Sequence, residues 1–361
     1  MKKYILLFLA FLFLLPVNAF ALDNVSLEAK IGQMIMVGFH GTDISHPDLK
    51  ELNKYIQYGS VGGVIFYARN ISNPDQVTNF INEFKGLNPL LPLFFAVDQE
   101  GGNVERLTAK KGFLHIPTAW KIGQTMTIKD ALATFESQAL MLKGLGFNLN
   151  FAPVIDVNVN PTSPAIGLMG RAFSSDPEQV VDFASTFVDA YRKVGIISCL
   201  KHFPGHGSAK EDSHLGFTDV TDTWQKVELV PFEKMVSSGK ADCIMSSHVF
   251  NADVDEEYPA SLSAGHIQGV LRNKLGYSGV VVTDDLQMGA ISQNYKLKEI
   301  VVRTINSGTD IMLFPNFFKI DKKLPTKIKN IILAAIKKGE IDPARIDESY
   351  KRIIELKKKI I

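Results

Sequence analysis

Cysteine is nearly absent: only Cys199 and Cys243 occur in 361 residues. Two cysteines cannot form a disulfide framework for a chain of this size. Both sit inside apolar runs that read as strands, so buried thiols are expected, although an exported chain has the redox setting to pair them. Net charge is also scarce. The 39 basic and 38 acidic side chains leave a formal +1. No long basic stripe breaks that balance, so nucleic acid is not an expected partner. The lysines of "ELKKKII" read as the solvated face of a last helix. Internal repeats and low-complexity linkers are missing too, which argues against a solenoid or an array. No apolar run is long enough to read as a membrane span; the one from Tyr4 to Leu15 is too short.

What is present begins with that run. "MKKYILLFLAFLFLLPVNAFALDN" has two lysines, an apolar stretch and then Ala19-Phe20-Ala21. This is the order of a secretory leader. Cleavage is expected after Ala21, giving a signal peptide over 1–21 and a mature chain over 22–361. An uncleaved anchor is the alternative. No cysteine stands near the cleavage point to carry a lipid. The expected location is periplasmic or secreted, with no stable membrane span after cleavage.

Eight short apolar runs follow: 33–39, 61–67, 92–98, 147–157, 195–202, 243–250, 279–285 and 309–315. Several are apolar on both alternations, as strands covered on both faces are. Helical patterns lie between them. In "DPEQVVDFASTFVDAYRKVG", Asp176 reads as N-cap, Pro177 as first helical residue and Gly195 as the stop. "SAGHIQGVLRNKLG", "KLKEIVVRTINSG" and two C-terminal segments complete the set. Strands alternating with helices predict an α/β fold, a (β/α)8 TIM-type barrel, as one catalytic domain over 22–361. An open doubly wound sheet is the alternative.

Such barrels keep their chemistry at the C-terminal strand ends. Asp98, Asp156, Lys201, His202, His248, Asp284 and Asp285 fall there. In "KHFPGHGSAKEDSH" (201–214), His202 and His206 have the spacing of a metal pair, but that pair works on a helix and Pro204, Gly205 and Gly207 oppose one. No metal is therefore expected, and no cofactor. Asp212 and His214 can act as a carboxylate–imidazole pair for proton transfer, or sit on a plain polar loop. In "AVDQEGGNVERL" (96–107), Asp98 and Arg106 suit forked hydrogen bonds to vicinal hydroxyls, or simply brace the loop. Arg171 in "GRAFSSDP" is a ligand clamp or the partner of a carboxylate. "VVVTDDLQMGA" (280–290) offers two adjacent carboxylates, of which only one faces the pocket if the strand continues to Asp285.

Taken in order, "KHFPGHGxxxxDSH", "DxEGGxVxR", "GRxF…DP" and "TDDLQM" resemble glycoside hydrolase family 3, specifically its single-domain β-N-acetylhexosaminidase branch, from about residue 30 to the end. The resemblance implies a retaining mechanism on a (β/α)8 barrel. It implies Asp284 as nucleophile, His214 as general acid/base and Asp212 as its dyad partner. It also implies that Asp98, Arg106, Arg171, Lys201 and His202 hold a nonreducing N-acetylglucosamine. The partner would be an oligosaccharide with terminal β-linked GlcNAc, from muropeptides or chitin fragments. Phosphorolysis stays open as an alternative, because a spent imidazole is neutral and repels phosphate less than a carboxylate does. So do another family 3 glycosidase, an exported sugar-binding protein without activity, and a zinc hydrolase. Oligomeric state is left open.

Overall fold

Each of the eight apolar runs contains one strand of a single parallel sheet, the fifth strand passing the end of its run by one residue. The strands are β1 (Ile35–Gly38), β2 (Gly63–Phe66), β3 (Phe94–Val97), β4 (Leu149–Asn150), β5 (Ile197–Phe203), β6 (Cys243–Ser246), β7 (Val280–Thr283) and β8 (Met312–Phe314). The computed structural model describes residues 25–87, 89–317 and 320–360. The expected leader and its cleavage point lie outside the described residues. Neighbours run in the order β7-β6-β5-β4-β3-β2-β1-β8, every pair parallel. A parallel bridge from Val282 to Ile311 joins the two ends and closes the barrel. The open-sheet alternative is thereby set aside.

The strands read as apolar runs because both their faces are covered. Val64, Ile65 and Phe66 on β2 and Val281 on β7 have no exposed surface. Outside the barrel, Phe66 meets Phe39, Phe80 and Phe147 edge to face at 4.9, 5.8 and 5.2 Å. Each such ring, taken from water, stabilises the fold by roughly 1.5–3 kcal/mol. Cys199 on β5 and Cys243 on β6 lie opposite each other in register, both buried and both free thiols.

The helices follow their punctuation. Pro177–Lys193 starts at Asp176, whose side chain accepts from Glu178 N, and Gly195 just beyond takes φ 69°. Leu297–Ser307 stops at Gly308 with φ 102°. Pro343–Lys357 starts at Asp342. The segment Gly265–Lys274 departs from expectation by winding as a π-helix. Among the described residues, no helix is long and apolar enough to cross a membrane.

Candidate active site

The site is assembled by how each strand ends. β3 stops at Val97, so Asp98 is the first residue beyond the barrel. The chain then makes a short antiparallel hairpin, Gln99–Gly101 with Val104–Glu105, which carries Glu100 and brings Arg106 back over Asp98. On β5 the register shifts between Leu200 and Phe203. A bulge re-aims side chains, and here the sequence neighbours Lys201 and His202 both line the same cleft. β4 has only two residues, but Val154 bridges Lys201 and Ile155 N donates to Lys201 O at 2.8 Å. That extension carries Asp156 to the mouth. β7 ends at Thr283, so the alternation that would turn one carboxylate away has stopped, and Asp284 and Asp285 both line the cleft. The strand does not continue to Asp285, so the condition under which only one of the two would face the pocket is not met.

The resulting cleft has a volume of about 430 Å³, and Asp98, Arg106, Arg171, Lys201, His202, Asp212, His214 and Asp284 all line it. All eight candidates from the sequence are brought together. Three further residues take part: Asp156, marked in the sequence as a strand-end residue but given no role, and Glu100 and Tyr67, which were not singled out. Glu100 grips Arg171 through both oxygens, at 2.8 and 2.9 Å, and takes Lys201 Nζ at 2.6 Å. Asp156, wholly buried, accepts from His202 N at 3.1 Å and His206 N at 2.9 Å and lies 2.7 Å from His202 Nδ1. Tyr67 lines the wall just after β2, with the Arg106 guanidinium 5.6 Å from its ring. Its place at a strand end was a usable signal. Glu100 gave none, and Asp156 was marked by its strand end but not by its task, because their partners lie 71 and 46 residues away.

A chain of charges crosses the mouth. Arg106 Nη2 reaches Asp98 Oδ2 at 3.3 Å, Lys201 Nζ reaches Asp98 Oδ1 at 2.9 Å, and Lys201 also reaches Glu100, which holds Arg171. Burial pushes the Asp98 carboxyl up, but the charges of Lys201 and Arg106 outweigh it and leave it below the usual range. Glu100 is buried as well, and Arg171 and Lys201 hold it well below the usual range. Arg171 Nη2 lies 3.0 Å from His202 Nε2. A guanidinium can only donate, so Nε2 accepts and the ring proton sits on Nδ1, directed at Asp156. Burial, then the charges of Arg171 and Lys201, push His202 well below its usual range and keep this ring neutral.

The neighbouring carboxylates Asp284 and Asp285 differ. Burial raises Asp284, but His248 and His214, with the Asp285 N–H at 2.7 Å, more than offset it and hold the group below its usual range. Asp285 is pushed up to about 7 by burial and by the charges of Asp284 and Asp98, against the Gln287 N–H. Two carboxyls with ionisation pushed apart are the arrangement that separates an anionic group from a protonated one. Across the cleft, His214 Nδ1 lies 2.7 Å from Asp212 Oδ1, leaving Nε2 free, and the imidazole is 59% exposed. Burial raises Asp212, yet the N–H and ring of His214 hold it below the usual range.

The loop from 203 to 214 is not helical. Gly205 takes φ 121°, and a Cβ on Gly207 would stand 1.8 Å from Val157 O. The rings of His202 and His206 are 5.9 Å apart, with nitrogens turned to Asp156, Arg171 and Ser213. Among the described residues, no group of three or more His, Cys, Asp or Glu is arranged to hold a metal.

Residues 26–356 match the family model described as "Glycosyl hydrolase family 3 N terminal domain". Beta-hexosaminidase A of Pseudoalteromonas piscicida is 32% identical over 86% of this chain and 55% of its own length. The Beta-hexosaminidase of Tolumonas auensis is 36% identical over 74% of this chain and 79% of its own. Among solved structures, a family 3 beta-N-acetylglucosaminidase from Paenibacillus sp. str. FPU-7 superposes with a TM-score of 0.85 at 34% identity, over 93% of this chain and 62% of that one. A beta-N-acetylhexosaminidase from Beutenbergia cavernae gives 0.83 at 28% identity, over 93% and 99%. The chain thus spans little more than half of the Pseudoalteromonas protein and nearly all of the Beutenbergia one.

Proposed function

The chain belongs to glycosyl hydrolase family 3, in its β-hexosaminidase branch, and from this we propose that it is a retaining exo-β-N-acetylglucosaminidase. It removes nonreducing terminal β-linked GlcNAc from muropeptides or chitooligosaccharides. The observation that carries the reading is the pairing, in one cleft, of a carboxyl held anionic at Asp284 with a His214–Asp212 dyad whose Nε2 is free.

In the first step an Asp284 oxygen attacks the anomeric carbon, and the bond from that carbon to the glycosidic oxygen breaks. His214 Nε2 gives its proton to the departing oxygen, and Asp212 supports the ring through Nδ1. A glycosyl ester on Asp284 results. In the second step water attacks the same carbon, its proton passes to His214 and the ester bond breaks. Two inversions retain the β configuration. Asp98, Arg106, Arg171, Lys201 and His202 hold the sugar hydroxyls and acetamido group, with Glu100 holding Arg171 and Lys201 and Asp156 holding His202. The network is paired before substrate arrives, so little reorganisation accompanies binding. The leader signature at 1–21 supports an exported enzyme.

The test is release of a chromophore from an aryl β-N-acetylglucosaminide. Wild type is expected to turn over, and Asp284→Ala to lose roughly a thousandfold or more while remaining folded. A protein that binds the sugar and releases nothing would reverse the reading in favour of a sugar-binding protein.

A further inference from the structure

His206 stands in the cleft wall without a part in the chemistry above. Its ring is buried, and Nε2 lies 3.1 Å from Ser213 Oγ. Ser213 is itself buried and sits between Asp212 and His214, the two residues of the dyad, which are 28% and 59% exposed. On the other side, the backbone of this loop rests on the segment after Asp284: Ala290 N donates to Ser213 O and Gly289 N to His214 O, both at 3.2 Å. The dyad therefore hangs between two supports, and among the described residues the side chain of Ser213 bonds to His206 alone.

His206 is fixed in turn. Its N–H donates to Asp156 Oδ1, the oxygen that also takes the His202 N–H, while Asp156 Oδ2 faces the His202 ring. One buried carboxylate thus sets both the ring that meets the sugar-holding Arg171 and the ring that meets the dyad loop. We propose that His206, through Ser213, is a positioning residue that latches the loop carrying the acid/base pair, and that Asp156 couples this latch to the sugar-holding side of the cleft. The proposal rests on the reading of Asp212 and His214 as the proton-transfer pair. The orphan nitrogen of His206 fits it. Nδ1 is buried and finds no partner among the described residues. Whichever of the two supplies the hydrogen, Nε2 and Ser213 Oγ make the hydrogen bond that ties this ring to the dyad loop. Burial holds the ring below its usual range and so keeps it in a single-proton form.

Ser213→Ala removes the latch with little risk to folding, and Ser213→Thr keeps the hydroxyl. Amide hydrogen exchange of the full chain gives a readout independent of activity. In Ser213→Ala, exchange over 209–217 should accelerate about fivefold, as loss of one ordinary hydrogen bond predicts, with the barrel strands unchanged and Ser213→Thr close to wild type. In turnover, Ser213→Ala should lose about tenfold on chitobiose, whose leaving group needs a proton, and less than about twofold on an activated aryl N-acetylglucosaminide. Unchanged exchange over 209–217, or equal losses on both substrates, would overturn the latch. If wild type itself hydrolysed neither substrate, the functional reading would fall, and the exchange result would still decide whether His206 holds this loop.

Discussion

The two ends of the barrel are both rich in buried charge, yet they are built to opposite purposes. At the base, Lys357 from the last helix inserts under the strands. Its ammonium meets Gln33 Oε1 at 2.6 Å, Gly62 O at 2.9 Å and Pro92 O, and it lies 4.7 Å from the Phe94 ring centre. Nearby, Asp310 is fully buried. It accepts from Arg272 at 2.7 Å, Val281 N at 2.9 Å, Ser349 at 2.8 Å, Arg352 at 3.1 Å and Arg345 at 3.2 Å. Nearly every strong donor and acceptor of this cluster is paired inside it, Arg345 Nη1 being the buried exception among the described residues. At the mouth the charges are paired as well, but His214 keeps a free Nε2, and Asp284 and Asp285 open onto a cleft of about 430 Å³. Burial of charge alone does not mark a catalytic site. What distinguishes the mouth is hydrogen-bonding capacity left over and aimed at empty space.

That contrast can be broken by mutating each end and reading both activity and stability. The largest effect is expected at the mouth. His214→Ala should slow hydrolysis of chitobiose by roughly 10²–10⁴-fold, the usual worth of a general acid, and slow an activated aryl substrate far less. Urea unfolding should be unchanged, because the imidazole is exposed. Equal losses on both substrates would remove His214 from proton transfer. At the base, Asp310→Asn leaves three guanidinium groups facing a neutral amide in a closed site. Stability should fall by about 3–5 kcal/mol, measured by urea unfolding, with kcat/KM of the folded enzyme close to wild type. A loss of activity without a loss of stability would show that the two ends are not separable.

The smallest expected effect concerns Lys357. Burial pushes its ammonium down to about 7, against about 10.4 in an unfolded chain, although its three oxygen acceptors and the Phe94 ring oppose the shift. Below pH 7 the group is charged in both states, and folding carries the full cost of burying it. Between pH 7 and about 10 the unfolded chain holds the extra proton, so stability should rise with pH, by at most about 4–5 kcal/mol and by less to the extent that the acceptors oppose the shift. Lys357→Met should flatten that rise. A Lys357→Met protein with the wild-type pH profile would mean that the acceptors keep the ammonium charged throughout.

The same contrast explains what could be read from the sequence. All eight strands were legible, because strands covered on both faces appear as uninterrupted apolar runs, and polar residues at their ends mark the mouth. The helix Pro177–Lys193 was legible from Asp176 and Gly195, whose roles are local. The π-winding of Gly265–Lys274 was not, since its spacing also fits an ordinary helix. Asp98, Lys201, His202 and Asp284 were visible as strand-end residues, Arg106 as a possible partner of Asp98 in one motif, and His214 with Asp212 as a close pair. Glu100 and Asp156 were not assigned, because a carboxylate's task here is set by Arg171 and His202, far along the chain. Whether Asp284 and Asp285 share the cleft depended on a strand ending at Thr283, a boundary that composition does not mark.

The most direct measurement is mass spectrometry of the enzyme quenched with a slow fluorinated N-acetylglucosaminide. A single sugar adduct on Asp284 is predicted, absent from Asp284→Ala. No adduct on an enzyme that turns over, or a label on Asp285 instead, would contradict the account.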